Sequence, residues 1–195
     1  MKHFRYVLLL FFFISQCRPK EEKSMTQFPE KPAVPSTIKK EHESLLGKIH
    51  AMTLFRDSAG RAAIKLNELM QYHFKEEEEY VLPPLGLLPL LSSGKLPEHS
   101  NNVILLTEKF KSQSAKIIAE HQMIKALTEE MIKADDGMRH PEMIEFEKEL
   151  QQHAHTEEEV FFPAAILVGE YLKLRSMANP HSASQHAALN PAGED

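Results

Sequence analysis

Between residues 37 and 174, apolar side chains recur at steps of three and four, and no stretch alternates as a strand does. Four amphipathic helices follow from this spacing. The first opens after Pro35, with Ser36 or Thr37 as its expected N-cap, and aligns Ile38, His42, Leu45, Ile49 and Met52. The second starts after Gly60 and aligns Leu66, Met70, His73, Glu77 and Tyr80. The third, the longest, runs from about Asn102 to Lys133, with Ile117, His121, Ile124 and Met131 on one stripe. The fourth opens at Pro141, a favourable first helical position, and runs to about Leu174. Its stripe is Phe146, Leu150, His153, Glu157, Val160 and Ala164. Short joints near Asp57 to Gly60 and Asp135 to His140 force antiparallel neighbours. The longer connection from Pro83 to Ser100 is rich in Leu and Pro and has room for a short helical piece. The expected fold is all-α, an up-down-up-down four-helix bundle.

The stripes contain residues that do not belong in an apolar core. His42, His73, Glu77, His121, His153 and Glu157 all occupy inward positions. Burying one unpaired imidazole or carboxylate costs several kcal/mol, and the net stability of a domain is only about 5–15 kcal/mol. Six such groups must therefore be compensated together.

Their placement is duplicated. His73-Phe-Lys-Glu-Glu77-Glu-Glu-Tyr-Val-Leu-Pro83 matches His153-Ala-His-Thr-Glu157-Glu-Glu-Val-Phe-Phe-Pro163. Upstream of each stretch stands a Glu-His pair, Glu41-His42 and Glu120-His121. The chain is two copies of one unit. In each His-x-x-x-Glu pair both side chains face the same way, one turn apart. A neutral imidazole and a carboxylate so placed can bind one cation, with a third ligand from the neighbouring helix. Two triads then face each other across a pseudo-twofold axis, and each glutamate can lean across and bridge. Imidazole and carboxylate without thiolate suit iron, manganese or zinc. Pro83 and Pro163 each remove a backbone donor, so a kink is expected just beyond the ligands.

The set His42, His73-x-x-x-Glu77, His121, His153-x-x-x-Glu157, with its Glu-Glu-Glu and Pro continuation, resembles the hemerythrin-like HHE cation-binding family over about residues 37 to 174. The resemblance implies a non-haem di-iron centre with those six residues as ligands. Oxygen-carrying hemerythrins add a second His on the third helix, one turn from the first. Here those positions are Ile117 and Lys125. The resemblance thus points to the simpler form, whose roles include binding oxygen or nitric oxide, sensing, iron handling and repair of iron centres.

Other polar residues are weaker candidates. His155 falls on the outer face of its helix, and His50 is a possible partner behind the ligands. Glu43, Glu78 and Glu158 are expected on a solvated face, with a supporting or bridging place beside the ligands as the alternative. His99 and His140 lie in loops, and His181 and His186 in the tail.

The ends of the chain set expectations about location. Lys2 and Arg5 precede an unbroken apolar run from Tyr6 to Ile14, too short to span a bilayer but long enough for the core of a signal peptide over 1–16. The run stops just before Cys17, the only cysteine, which excludes an internal disulfide. A lone Cys there resembles a bacterial lipobox, although Gln16 replaces the usual small residue. Acylation of Cys17 would anchor the protein to a membrane of the cell envelope, each buried methylene contributing about 0.8 kcal/mol. Residues 17–36, with Pro19, Pro29, Pro32 and Pro35, read as a disordered tether, and 175–195 as a disordered tail.

A net charge of −5 offers no basic patch for nucleic acid. Two functions fit. The first is a di-iron module that binds oxygen or nitric oxide, for scavenging, sensing or iron buffering. The second is an enzyme-like protein that detoxifies nitric oxide or peroxide or repairs iron centres. Carboxylate-rich di-iron oxygenases use Glu-x-x-His motifs, absent at the core positions here, so substrate oxidation is disfavoured.

Overall fold

The computed structural model describes residues 31–98, 100–135 and 139–178. Helix α1 spans Ser36–Met52 and α2 spans Ser58–Glu76. A π-helical turn, Glu77–Val81, continues α2. A 3₁₀ turn, Pro83–Leu87, and a short helix, α3 (Leu88–Ser92), fill the connection. Helix α4 runs through Asn101–Ala134, and α5 spans Glu142–Thr156. A second π turn, Glu157–Phe161, leads into α6, Phe162–Ala178. Among the described residues there is no strand, and no helix is long and apolar enough to cross a membrane.

Two apolar layers and one polar layer between them explain the topology. The lower layer includes Leu45, Ile49, Met70, Ile124, Phe146 and Leu150. The upper layer includes Ile38, Tyr80, Val81, Phe110, Ile117 and Phe162. Along α1 the order is Ile38, His42, Leu45, from upper to lower. Along α2 it is Met70, His73, Glu77, Tyr80, from lower to upper. Helix α4 repeats the first order and α5–α6 the second. The rods therefore run up, down, up, down, and all four cross the polar layer at the same height.

Helix ends differ from the sequence reading in detail. Pro35 is the N-cap of α1, without a side-chain cap from Ser36 or Thr37. Helix α2 begins before Gly60 because Asp57 accepts from the Gly60 N–H at 3.0 Å, an N-cap bond. Pro141 precedes α5 as its N-cap. The packed chain also starts earlier than residue 37. Val34 is buried in the upper layer, and a Cβ on Gly86 would collide with the Ala33 carbonyl oxygen.

A π turn stands just ahead of each of the two prolines. Leu82 N–H bonds to the Glu77 carbonyl at 2.9 Å, five residues back, and Phe162 N–H likewise reaches Glu157. One extra residue per turn advances the helical phase. Beyond Glu157 the buried residues are therefore Phe162, Ala165, Val168, Gly169 and Leu172, while Val160, expected on the inner stripe, is 54% exposed. In the first repeat, Lys31 Nζ donates to the carbonyls of Glu78 and Glu79, at 2.8 and 2.9 Å.

The joints at the lower end are stapled together. His140 Nε2 donates to Asp57 Oδ2 at 3.1 Å, and His140 N–H donates to Asp135 Oδ2 at 2.9 Å. The His140 ring also stacks on Phe55, 3.8 Å between centroids. The Gly60 N–H above all, with His140 and Arg139, holds the Asp57 carboxyl below the usual range, against the opposing effect of burial.

Candidate metal centre

All six inward polar residues meet in the middle layer. His42, His73, Glu77, His153 and Glu157 are at most 2% exposed, and His121 is 6% exposed. Their ligand atoms form two groups. One holds His42, His153, Glu77 and Glu157; the other holds His73, His121, Glu77 and Glu157. Within each group one ligand atom per residue lies within 4.8 Å of all the others. Each lone histidine joins the His-x-x-x-Glu histidine of the other repeat. The pairs come from α1 with α5, and from α2 with α4.

The two glutamates belong to both groups because each divides its oxygens. Glu77 Oε1 lies 3.2 Å from His73 Nε2 and 3.7 Å from His121 Nε2, while its Oε2 lies 3.7 Å from His42 Nε2. Glu157 Oε1 lies 3.2 Å from His153 Nε2 and 3.4 Å from His42 Nε2, and its Oε2 lies 3.4 Å from His121 Nε2. Each carboxylate is thus within reach of both histidine pairs. The π turns start at these two glutamates.

Every Nε2 faces inward, and every Nδ1 faces a carboxylate on its outer side. His42 Nδ1 donates to Glu78 Oε1 at 3.0 Å, and His121 Nδ1 to Glu158 Oε1 at 2.7 Å. His73 Nδ1 donates to Glu120 Oε2 at 3.0 Å. Glu41 Oε1 stands 3.4 Å from His153 Nδ1 as an ion pair without hydrogen-bond geometry. A proton fixed on Nδ1 leaves the Nε2 lone pair free for a cation and makes the imidazole a stronger donor. The sequence reading favoured a solvated face for Glu78 and Glu158; the structure shows its alternative, with both reaching back to the histidines of the neighbouring rods. Glu41 and Glu120 received no role from periodicity, yet the repeated Glu-His dipeptide carried the signal. Glu43 and His50 are exposed, and His50 supports no ligand. His155 is outside the centre, paired with Glu159 at 3.3 Å on the surface.

The residues fit a cation by what they leave unsatisfied. His73 Nε2, His121 Nε2, His153 Nε2, both oxygens of Glu77 and Glu157 Oε2 are buried without a hydrogen-bond partner. Buried polar atoms are rarely left so, and these six are gathered in one cluster. Electrostatics agrees. Burial opposes the charge of Glu157, but His121, His153 and His42 hold its carboxyl well below its usual range. Burial also opposes protonation of His121, yet Glu157, Glu77 and Glu158 outweigh it and push the imidazole up to about 10. His73 and His153 are raised against the same burial, chiefly by Glu77 and Glu157 respectively. In the absence of a cation, protons on these rings balance the carboxylates.

Neither neighbour of His121 along its face adds a ligand. Ile117 is fully buried in the upper apolar layer, and Lys125 is exposed. The residues Asp57, Asp135 and His140 also come close enough to hold an ion. Their contacts to one another and to Arg139 make them the staple of the two lower joints.

The hemerythrin HHE cation-binding domain matches residues 34–165 of the chain. No curated protein and no solved structure matches it. The match covers most of the chain and all six inward polar residues. The protein belongs to the hemerythrin HHE cation-binding family, and its bundle is a cation-binding domain.

Proposed function

We propose that the six residues hold two non-haem iron ions, one between His42 and His153 and one between His73 and His121, with Glu77 and Glu157 bridging. The observation that carries this reading is the division of each buried carboxylate between two imidazole pairs, with the facing atoms otherwise unpartnered. Four imidazoles and two carboxylates leave each metal below six ligands. Iron so held supplies one-electron chemistry and an open position for oxygen or nitric oxide. The chain's own residues then fix the ring orientations, exclude water through the two apolar layers and hold the outer protons at Nδ1. Manganese and zinc suit the same ligands, and iron is preferred because open positions and redox chemistry serve a diatomic ligand.

The same proposal places the protein in the bacterial cell envelope as a lipid-anchored scavenger or sensor of oxygen or nitric oxide, or a buffer of iron. Its support is the apolar run Tyr6–Ile14 ending before Cys17. These positions, and the tether up to residue 30, lie outside the described residues, as does the tail beyond 178.

The test is anaerobic purification with metal analysis and spectra before and after oxygen or nitric oxide. Two irons per chain and a spectral change on exposure are expected. Protein carrying only zinc overturns the redox reading. For the anchor, fatty-acid labelling of the wild type and its loss in Cys17→Ser are expected; an unlabelled wild type removes the lipoprotein.

A further inference from the structure

The groups that surround the centre obey the pseudo-twofold symmetry, but the surface above them does not. Superposing the repeats on their His-x-x-x-Glu pairs matches Gln71 with Gln151, Phe74 with Ala154, Lys75 with His155 and Glu78 with Glu158. Each repeat has a surface groove over these positions, of about 550 Å³ in the first and about 460 Å³ in the second. Size does not distinguish them; their floors do. In the first repeat Phe74 lies flat on His42, 4.0 Å between centroids and 6° between planes, and meets His153 edge-on at 5.3 Å. Residues 31–34 form another wall of that groove, and His42 does not line it. In the second repeat Ala154 offers only a methyl group where Phe74 has a ring. The groove between α4 and α5 reaches His121 and Glu158 themselves. Accordingly His121 is 6% exposed and its counterpart His42 is 1% exposed.

We propose that small molecules reach the centre through the α4–α5 groove, past Ala154 and along His121 and Glu158, and that Phe74 plugs the equivalent path in the first repeat. The position between His73 and His121 is then the one that meets exogenous ligand, and the position between His42 and His153 is shielded. This rests on the two-metal reading given above. On the open side the last barrier is one hydrogen-bonded pair, His121 Nδ1 to Glu158 Oε1 at 2.7 Å. On the shielded side Glu78 also lines its groove, but His42 lies beneath the stacked Phe74 ring, which must move first, and ring contacts of this kind add to the area already buried.

The experiment uses the full iron-loaded protein and two probes, nitric oxide in stopped flow and bipyridyl, which extracts ferrous iron. Ala154→Phe should slow both reactions about tenfold, since approach then requires a side chain to move. Phe74→Ala should speed bipyridyl extraction. Gln151→Trp, an exposed change at the groove mouth, should slow both probes without touching the centre. Wild-type rates in Ala154→Phe with full iron content and an unchanged spectrum overturn the route. If Ala154→Phe does not retain iron, wild-type rates in Gln151→Trp overturn it. A wild type that binds no metal overturns the two-metal reading instead, and the route with it.

Discussion

Glu120 Oε2 lies 3.0 Å from His73 Nδ1, so the residue preceding one repeat's lone histidine orients a histidine of the other repeat. Glu120 is itself buried, and Lys116 Nζ stands 3.3 Å from its second oxygen. Removing such a supporting carboxylate typically lowers metal affinity by about 10–100-fold. Glu120→Ala is expected to fall in that range in a competition titration with a chromogenic chelator. Glu79→Ala, an exposed residue of the acidic run that contains Glu77, should stay near wild type.

Substitution of the inward residues should separate from substitution of their neighbours. His73→Ala, His153→Ala, Glu77→Ala and Glu157→Ala should each lose bound metal, while His155→Ala keeps it. Equal metal content in the wild type and the His73→Ala His153→Ala double variant would sink the assignment. Metal analysis of the purified proteins reads this directly.

Metal uptake should release protons. Burial disfavours charge on His73, His121 and His153, yet their carboxylate partners raise all three, with His121 at about 10. His121 is therefore protonated in the metal-free protein at neutral pH, the shifts of His73 and His153 run in the same direction, and a cation must displace the protons these rings hold. Titration calorimetry in buffers of different ionisation enthalpy should show net proton release at pH 7. A heat that does not depend on the buffer would contradict it.

The same shifts give the metal-free protein a pH-dependent stability. A raised histidine stabilises the fold fully below its unfolded value near 6.5, and that contribution is lost as pH rises toward about 10 for His121. Glu157 is depressed, so its contribution is present above about 4.5 and is lost as pH falls below that. The metal-free protein should thus melt at lower temperature at pH 9 than at pH 6. Bound metal should raise the melting point at both, because it binds only the folded state. Thermal melts with and without chelator check both statements.

Gly169 on α6 packs so closely on Thr107 of α4 that an added Cβ would collide with the Thr107 side chain. Alanine gains about 1 kcal/mol over glycine in helix propensity, whereas overpacking a tight contact costs about 1–3 kcal/mol. The steric cost should win, and Gly169→Ala should lower stability in a urea titration. A stabilised variant would mean that the two helices can part at little cost.

The inner stripes were readable because a helix buries residues at a fixed spacing. His42, His73, Glu77, His121, His153 and Glu157 stood on those stripes, and all six lie in the buried layer. The duplication marked them as a set. The phase beyond Glu157 was not readable, because a π turn shifts the period by one residue and Val160 came out exposed. Glu78 and Glu158 looked like solvated charges, because each neighbours an inward glutamate in sequence and finds its partner only on another rod.

By itself, then, the sequence determined the four rods, their repeat and the chemistry of the residues they turn inward, since these follow from local periodicity and residue type. Only the tertiary structure decided which histidines stand together, how each glutamate divides its oxygens between them, and which carboxylate supports which ring. It also decided that Phe74 closes over His42 while Ala154 leaves the path to His121 open. Those facts depend on distances between rods far apart in the chain, which no spacing along one helix encodes.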